Sequence, residues 1–171
     1  NHCLPEATLF TIRLSSRVNR IRPSPTLAVT NRAKTLKAQG KDVIGLGAGE
    51  PDFDTQEHIK EAAIRAIREG FTKYTAVDGT PGLKQAVIAK FKRDNGLDYT
   101  PDQILVSVGG KQSFFNLAQA FLDKDDEVVI PAPYWVSYPD MVLLADASPV
   151  IVTAGIDQSF KIRPDQLYRN I

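Results

Sequence analysis

The sequence predicts an α/β protein built on a mostly parallel sheet, and three observations carry that expectation. From Gln103 onward, short β-branched runs at Ile104–Val108, Glu127–Ile130 and Pro149–Thr153 alternate with stretches whose apolar residues recur every three or four positions. Strand and helix in alternation imply parallel strands joined by right-handed crossovers. The first run feeds its helix through a two-glycine turn, Val108-Gly109-Gly110-Lys111-Gln112. The sole tryptophan, Trp135, follows Pro131-Ala132-Pro133-Tyr134 at the carboxyl end of the second run, the edge where open α/β sheets bind ligands.

Taken in order, Asn1 to Ile12 shows no period and is expected to be disordered. Arg20-Ile21-Arg22-Pro23-Ser24-Pro25 reads as an extended arm. Ser24 then caps a helix that opens on Pro25, runs to about Gln39 and stops at Gly40. Val43–Leu46 reads as a short strand, and Gly47 to Thr55 as an irregular loop rich in Gly, Pro and Asp. Asp54, with Glu57 three positions on, predicts a capping box for a helix that ends at Gly70 and carries Ile59, Ala62, Ala63, Ala66 and Ile67 on one face. Tyr74 lies in a polar loop, where a partly buried anchor is its plain reading. Thr80-Pro81 starts a further helix, with Leu83, Val87, Ile88 and Phe91 apolar and Gly96 as its stop. The helix after the glycine turn is expected over Ser113–Leu122, with Phe114, Leu117, Ala118, Phe121 and Leu122 inward. A charged turn at Asp123–Asp126 leads to the second strand. Helices at Val136–Ala145 and Pro164–Asn170 flank the third strand.

Composition narrows the function classes. The 171 residues make one compact domain the default. The 21 basic and 20 acidic residues nearly cancel, and no basic run or aromatic-interleaved patch argues for nucleic acid. Cys3 is the single cysteine, which excludes an internal disulfide, and His2 and His58 are too few for a convincing zinc set. Any cofactor is therefore expected to be organic. No apolar run reaches the roughly 18 residues of a membrane span, and Asn1 to Leu14 lacks the apolar core of a signal peptide. A cytoplasmic location is expected. The first residue is not methionine, which suggests a processed remnant or a fragment boundary.

The glycine turn is the leading candidate for chemistry. A strand entering a helix through glycines gathers unpaired N–H groups and the positive end of the helix dipole at one point, which suits a phosphate. The same glycines serve equally to relieve crowding. A Walker motif is excluded, because Leu105 stands where its first glycine is required and Gln112 where Ser or Thr is required. Gly45-Leu46-Gly47-Ala48-Gly49-Glu50 fails the dinucleotide fingerprint at Glu50. Trp135 can serve a ligand edge or simple core packing.

Four motifs carry a family resemblance: AGEPDFDT at 48–55, KYT at 73–75 followed by GTPGLKQAV at 79–87, VGGKQSFFN at 108–116 and PAPYWVSYPDMV at 131–142. In this order they resemble the fold-type I pyridoxal-phosphate aminotransferases, above all the bacterial aspartate aminotransferases that include prephenate-accepting members. The match runs from about Leu14 to Ile171. It implies a PLP-transferase-like fold, a mostly parallel sheet with helices on both faces. Residues 1–24 would be an extension and arm, 25–49 part of a small domain, and 50–171 the incomplete first part of the large, cofactor-binding domain.

The resemblance also implies roles. The backbone of Gly110 and Lys111 would hold the phosphate of pyridoxal 5'-phosphate, with Gly109 allowing close approach. Trp135 would stack on the pyridine ring and border the substrate. Gly49 would offer its N–H to the substrate α-carboxylate. Tyr74 would reach the phosphate of the neighbouring subunit in a homodimer. Arg22 falls where prephenate-accepting relatives carry a basic residue for a second carboxylate, although a solvated arm arginine is an equal reading. The implied substrates are an amino acid, aspartate or glutamate, and a 2-oxo acid. The lysine that forms the Schiff base would lie beyond Ile171, so no catalytic residue of that kind is expected here. Lys111, at the phosphate end, is a poor substitute. Alone, the chain is expected to be inactive and prone to aggregation, retaining at most weak phosphate or partner binding. An unrelated nucleotide-binding domain has no matching motif.

Overall fold

The computed structural model describes residues 13–171, so the expectation for Asn1 to Ile12, with Cys3 and His2, falls outside the described residues. The chain forms two compact units where its length suggested one. The first comprises the described residues up to Ala28 together with Phe114–Ile171, and the second is Val29–Ser113.

In the first unit, β1 (Glu127–Ala132) and β2 (Ser148–Thr153) pair in parallel, with Ile130 opposite Ile151 and Ala132 opposite Thr153. Helix α6 (Ser137–Leu144) crosses between them. The core sits where this βαβ unit closes: Ile130, Val142 and Ala147 are buried, with Leu122, Val128 and Tyr138 packed against them. Val142 is wholly inaccessible. The turn before β1 is held by aspartates. The Asp123 amide donates to Asp126 Oδ2 at 2.7 Å, and the Asp126 carbonyl accepts from Ser148 N–H at 2.9 Å, which starts β2 in register. Helix α7 (Pro164–Tyr168) is tied back to β2 by Gln166, whose Nε2 donates to the Thr153 carbonyl at 3.1 Å.

A short helix not expected from the sequence, α1 (Ser16–Asn19), precedes the arm; the Ser15 hydroxyl accepts from Val18 N–H at 3.3 Å. Arg20 pairs with Asp146, and Arg17 reaches the same carboxylate at 4.0 Å, so the arm is fastened just past the end of α6.

In the second unit, α2 (Pro25–Ala38), whose first residues belong to the other unit, begins as predicted, with Ser24 Oγ accepting from Leu27 N–H at 3.4 Å. Helix α4 (Pro81–Asn95) is also bounded as predicted. Thr80 Oγ1 accepts from Leu83 N–H at 3.4 Å. At its other end Gly96 turns left-handed at φ 68°, so that the Gly96 and Leu97 amides reach the Lys92 and Phe91 carbonyls at 3.1 and 3.2 Å.

Four expectations require correction. Val43–Leu46 is not a strand, and Ile44 and Leu46 stay exposed. Ile104–Val108 is not a strand either; it makes one long-range backbone bond, from Val106 N–H to the Asp78 carbonyl at 3.0 Å. The physical reason is the same for both. β-branched residues favour extended chain, but a strand exists only through a ladder, and both described strands, β1 and β2, pair with each other. The sheet is accordingly parallel but two-stranded among the described residues. Helix α3 (Glu57–Arg68) has Gln56, not Asp54, at its N-cap position. The Asp54 carboxylate instead accepts from Thr55 N–H at 2.7 Å and Lys60 Nζ at 2.9 Å, so its charge is spent on partners other than the helix amides. Finally, α5 (Gly109–Phe121) starts at the glycines themselves and not after them, and only Ala118 of its apolar set is buried.

Candidate functional site

The glycine turn is the first turn of a helix. Gly109 opens α5 at φ 79°, a left-handed backbone that glycine adopts without strain. Two nearby amides are already engaged: Gly109 N–H donates to the Ser107 carbonyl at 2.9 Å, and Val108 N–H to Gln112 Oε1 at 2.8 Å. Gln112, which ruled against the Walker pattern, thus closes the turn as a cap. Beyond Gly109 and Gly110 there is open space: a Cβ built on either meets nothing within 4 Å. An exposed helix start with an empty approach, lined by main chain and followed by Lys111, is a place where an anion can meet backbone donors and a cation together. Two residues before Gly109, the Ser107 hydroxyl is buried without a hydrogen-bond partner.

The same unit holds Gly49 and Tyr74. Gly49 is exposed, and a Cβ placed on it would meet nothing within 4 Å, so its main chain is open to a ligand. The Gly47 backbone two residues earlier packs against Val29, where a Cβ would lie 3.0 Å from Cγ1. Tyr74 is fully exposed. Its loop is anchored at the far end: Asp78 bonds to Val106 through its carbonyl and to Lys84 through its carboxylate. The Lys84 ammonium beside it holds the Asp78 carboxyl below the usual carboxylate range.

Trp135 and Arg22 belong to the other unit. Trp135 follows β1 and a cis Ala132–Pro133 bond. It is partly exposed and stands edge-on to Tyr138, ring centroids 5.5 Å apart at 84°. Tyr138 in turn packs on Phe114 at 4.9 Å. The indole is therefore fixed by an aromatic row that ends in the core, while part of its face remains open. Arg22 is exposed in the arm, two residues past the Arg20–Asp146 pair.

Sequence reading missed two contributors. Tyr138 sets the tilt of Trp135, and its signal was the three-residue spacing of aromatics at a helix start. Lys84, between Leu83 and Val87 in α4, is the only buried charged residue among those described. Among the described residues no cluster of three or more His, Cys, Asp or Glu could hold a metal, and no helix is long and apolar enough to cross a membrane.

Comparison with known proteins defines the class. Residues 41–171 match the family described as Aminotransferase class I and II, and the chain belongs to that family. The individual relatives are more particular. The chain is 66% identical over 160 residues to an aspartate/prephenate aminotransferase of Nitrosomonas europaea, covering 94% of this chain and 40% of the relative. It is 62% identical over 154 residues to another of that name from Cereibacter sphaeroides, covering 90% and 38%. Among solved structures it superposes on the aspartate aminotransferase from Thermus thermophilus with maleate at a TM-score of 0.90 and 49% identity, covering 94% of this chain and 42% of that one. The chain thus spans about 40% of the length of the curated relatives it matches.

Proposed function

We propose that this chain is the amino-terminal portion of an aminotransferase that moves an amino group between an L-amino acid, aspartate or glutamate, and a 2-oxo acid by means of pyridoxal 5'-phosphate. The observation that carries the reading is the 66% identity over 160 residues to an aspartate/prephenate aminotransferase. Residues 1–24 serve as extension and arm, 25–49 as part of the small domain and 50–171 as the first part of the cofactor-binding domain, in a cytoplasmic homodimer.

The local chemistry fits the group. Gly110 and Lys111 present main-chain donors to the phosphate, and Gly109, with open space where a side chain would stand, lets the phosphate approach. Trp135, tilted by Tyr138, covers one face of the pyridine ring and borders the substrate. Tyr74 extends from its loop to the phosphate site of the partner subunit, which its full exposure permits. Gly49 offers its N–H to the α-carboxylate. The Arg22 guanidinium pairs with a second carboxylate in a planar, two-bond contact that selects dicarboxylates over neutral amino acids. When bound, pyridoxal phosphate supplies the electron sink for proton removal at the substrate α-carbon. The residues of this chain bind and orient; the proton-moving lysine belongs to the remainder of the protein. For the 171-residue chain by itself, its 40% span of the relative favours a non-catalytic module with weak anion or partner binding.

The test uses both. The full-length protein given aspartate and 2-oxoglutarate should form oxaloacetate, read by coupling to malate dehydrogenase, and absence of turnover refutes the reading. The 171-residue chain mixed with pyridoxal phosphate should show no absorbance band beyond free cofactor. A band lost on borohydride-blocked or lysine-substituted chain would place chemistry within it.

A further inference from the structure

We propose that Lys84 is a positioning residue, clamping the Tyr74 loop onto the segment that leads into the glycine turn. The inference rests on the roles proposed above for Tyr74 and the turn. Lys84 is 7% exposed, in the first turn of α4, where its amide donates to the Thr80 carbonyl at 3.0 Å. Its ammonium pairs with Asp78, the residue at which the loop meets the rest of the unit. The Asp78 carbonyl accepts from Val106 N–H at 3.0 Å. The next residue, Gly79, lies against the Val106 side chain and the Lys84 stem: a Cβ there would come within 2.6 Å of Val106 Cγ2 and 3.7 Å of Lys84 Cγ. Asp102, in the 3-10 turn Pro101–Gln103 that leads to Ile104, also feels the Lys84 charge, which helps hold its carboxyl low after the bond from the Thr100 hydroxyl and its own backbone amide.

One buried cation therefore holds Asp78, the residue at which the loop, the start of α4 and Val106 meet. A buried ammonium is stabilised by the carboxylate beside it, so the pair favours one place for the half-exposed Asp78. Tyr74 stands four residues before Asp78, and Gly109 three residues after Val106. Being fully exposed, the Tyr74 ring has its place set by the backbone of its loop. The clamp fixes that loop relative to the turn, and with it the reach of the phenol to the partner's phosphate site.

The experiment uses the full-length protein with Lys84→Met, which keeps the stem and removes the charge, Lys84→Arg, which restores the charge, and Tyr74→Ala. Amide hydrogen exchange reads the clamp directly. Lys84→Met should raise exchange about tenfold over 72–79 and 104–106 while 85–95 keeps its protection, and Lys84→Arg should recover most of it. Titration of the apoprotein with pyridoxal phosphate reads the consequence. Lys84→Met should weaken binding about tenfold, and adding it to Tyr74→Ala should cause no further loss, since both act through one phenol. Unchanged exchange over 72–79, a uniform rise that includes 85–95, or additive losses in the double variant would each overturn the clamp. Should Lys84→Met not fold, Asp78→Ala/Lys84→Met orphans neither charge and is expected to give the same pattern. Undiminished cofactor binding in Tyr74→Ala would instead sink the Tyr74 assignment, and the exchange pattern then upholds or overturns the clamp by itself.

Discussion

Replacing Gly79 with alanine should damage this protein more than any other single-methyl addition in the Tyr74 loop. The cost has two independent sources. Gly79 sits at φ 111°, beyond the left-handed basin that Asn or Asp visits, and holding an L-residue in such backbone costs about 1–3 kcal/mol. The new Cβ would also stand 2.6 Å from Val106 Cγ2 and 2.9 Å from Val106 Cβ, side-chain atoms of a branched residue whose own backbone is held by Asp78. Overpacking of that kind costs about 1–3 kcal/mol more. The sum is about 2–6 kcal/mol, and an expected loss near 4 kcal/mol is a large share of a typical folding free energy. Urea unfolding of the full-length protein, with Gly79→Ala, Val106→Ala and the double variant compared, separates the two sources. Val106→Ala removes Cγ2 but keeps the Cβ 2.9 Å away, so it should recover part of the steric share and none of the backbone share, giving a favourable coupling of about 1 kcal/mol or more. A Gly79→Ala protein within about 1 kcal/mol of wild type, or a double variant whose losses simply add, would refute the reasoning.

Three other outcomes are expected. Val142→Ala opens a void at a wholly buried site where α6 packs against Ile130 of β1 and should cost about 2–3 kcal/mol in the same urea assay, with no change in the cofactor titration. Asp54, Asp78, Asp94 and Asp102 all have folded pKa values below the ordinary 3.8, so their stabilisation is present above that value and lost as pH falls through their folded values. Stability should therefore drop as pH falls below about 4; Asp78→Asn should start lower, because it strips Lys84 of its partner, yet lose less as pH falls below about 4 in melting curves. Arg22→Ala in the full-length protein should reduce kcat/KM for aspartate about a hundredfold, the loss expected for one charge-assisted pair, and leave neutral amino acids nearly unchanged; equal losses would remove Arg22 from the substrate site.

What the sequence determined by itself was set by local chemistry. Ser24, Thr80 and Gly96 bound helices where they were expected, because a cap is satisfied by atoms within a few residues of itself. The pairing of the 127–132 and 148–153 runs was legible for a similar reason: a short crossover helix leaves parallel neighbours few alternatives. The four motifs were legible as family residues, and membership followed from them. Tertiary structure decided matters that depend on distant partners. Whether Val43–Leu46 and Ile104–Val108 become strands depends on an edge to pair with, which no local pattern encodes. Asp54 is a local exception, its carboxylate taken by Thr55 N–H and Lys60 Nζ, one and six residues on, instead of by the helix amides. Lys84 is the plainest case. On α4 it is one more polar residue, and only the return of Asp78 and Gly79 beside Val106 buries its charge and gives it a carboxylate to hold.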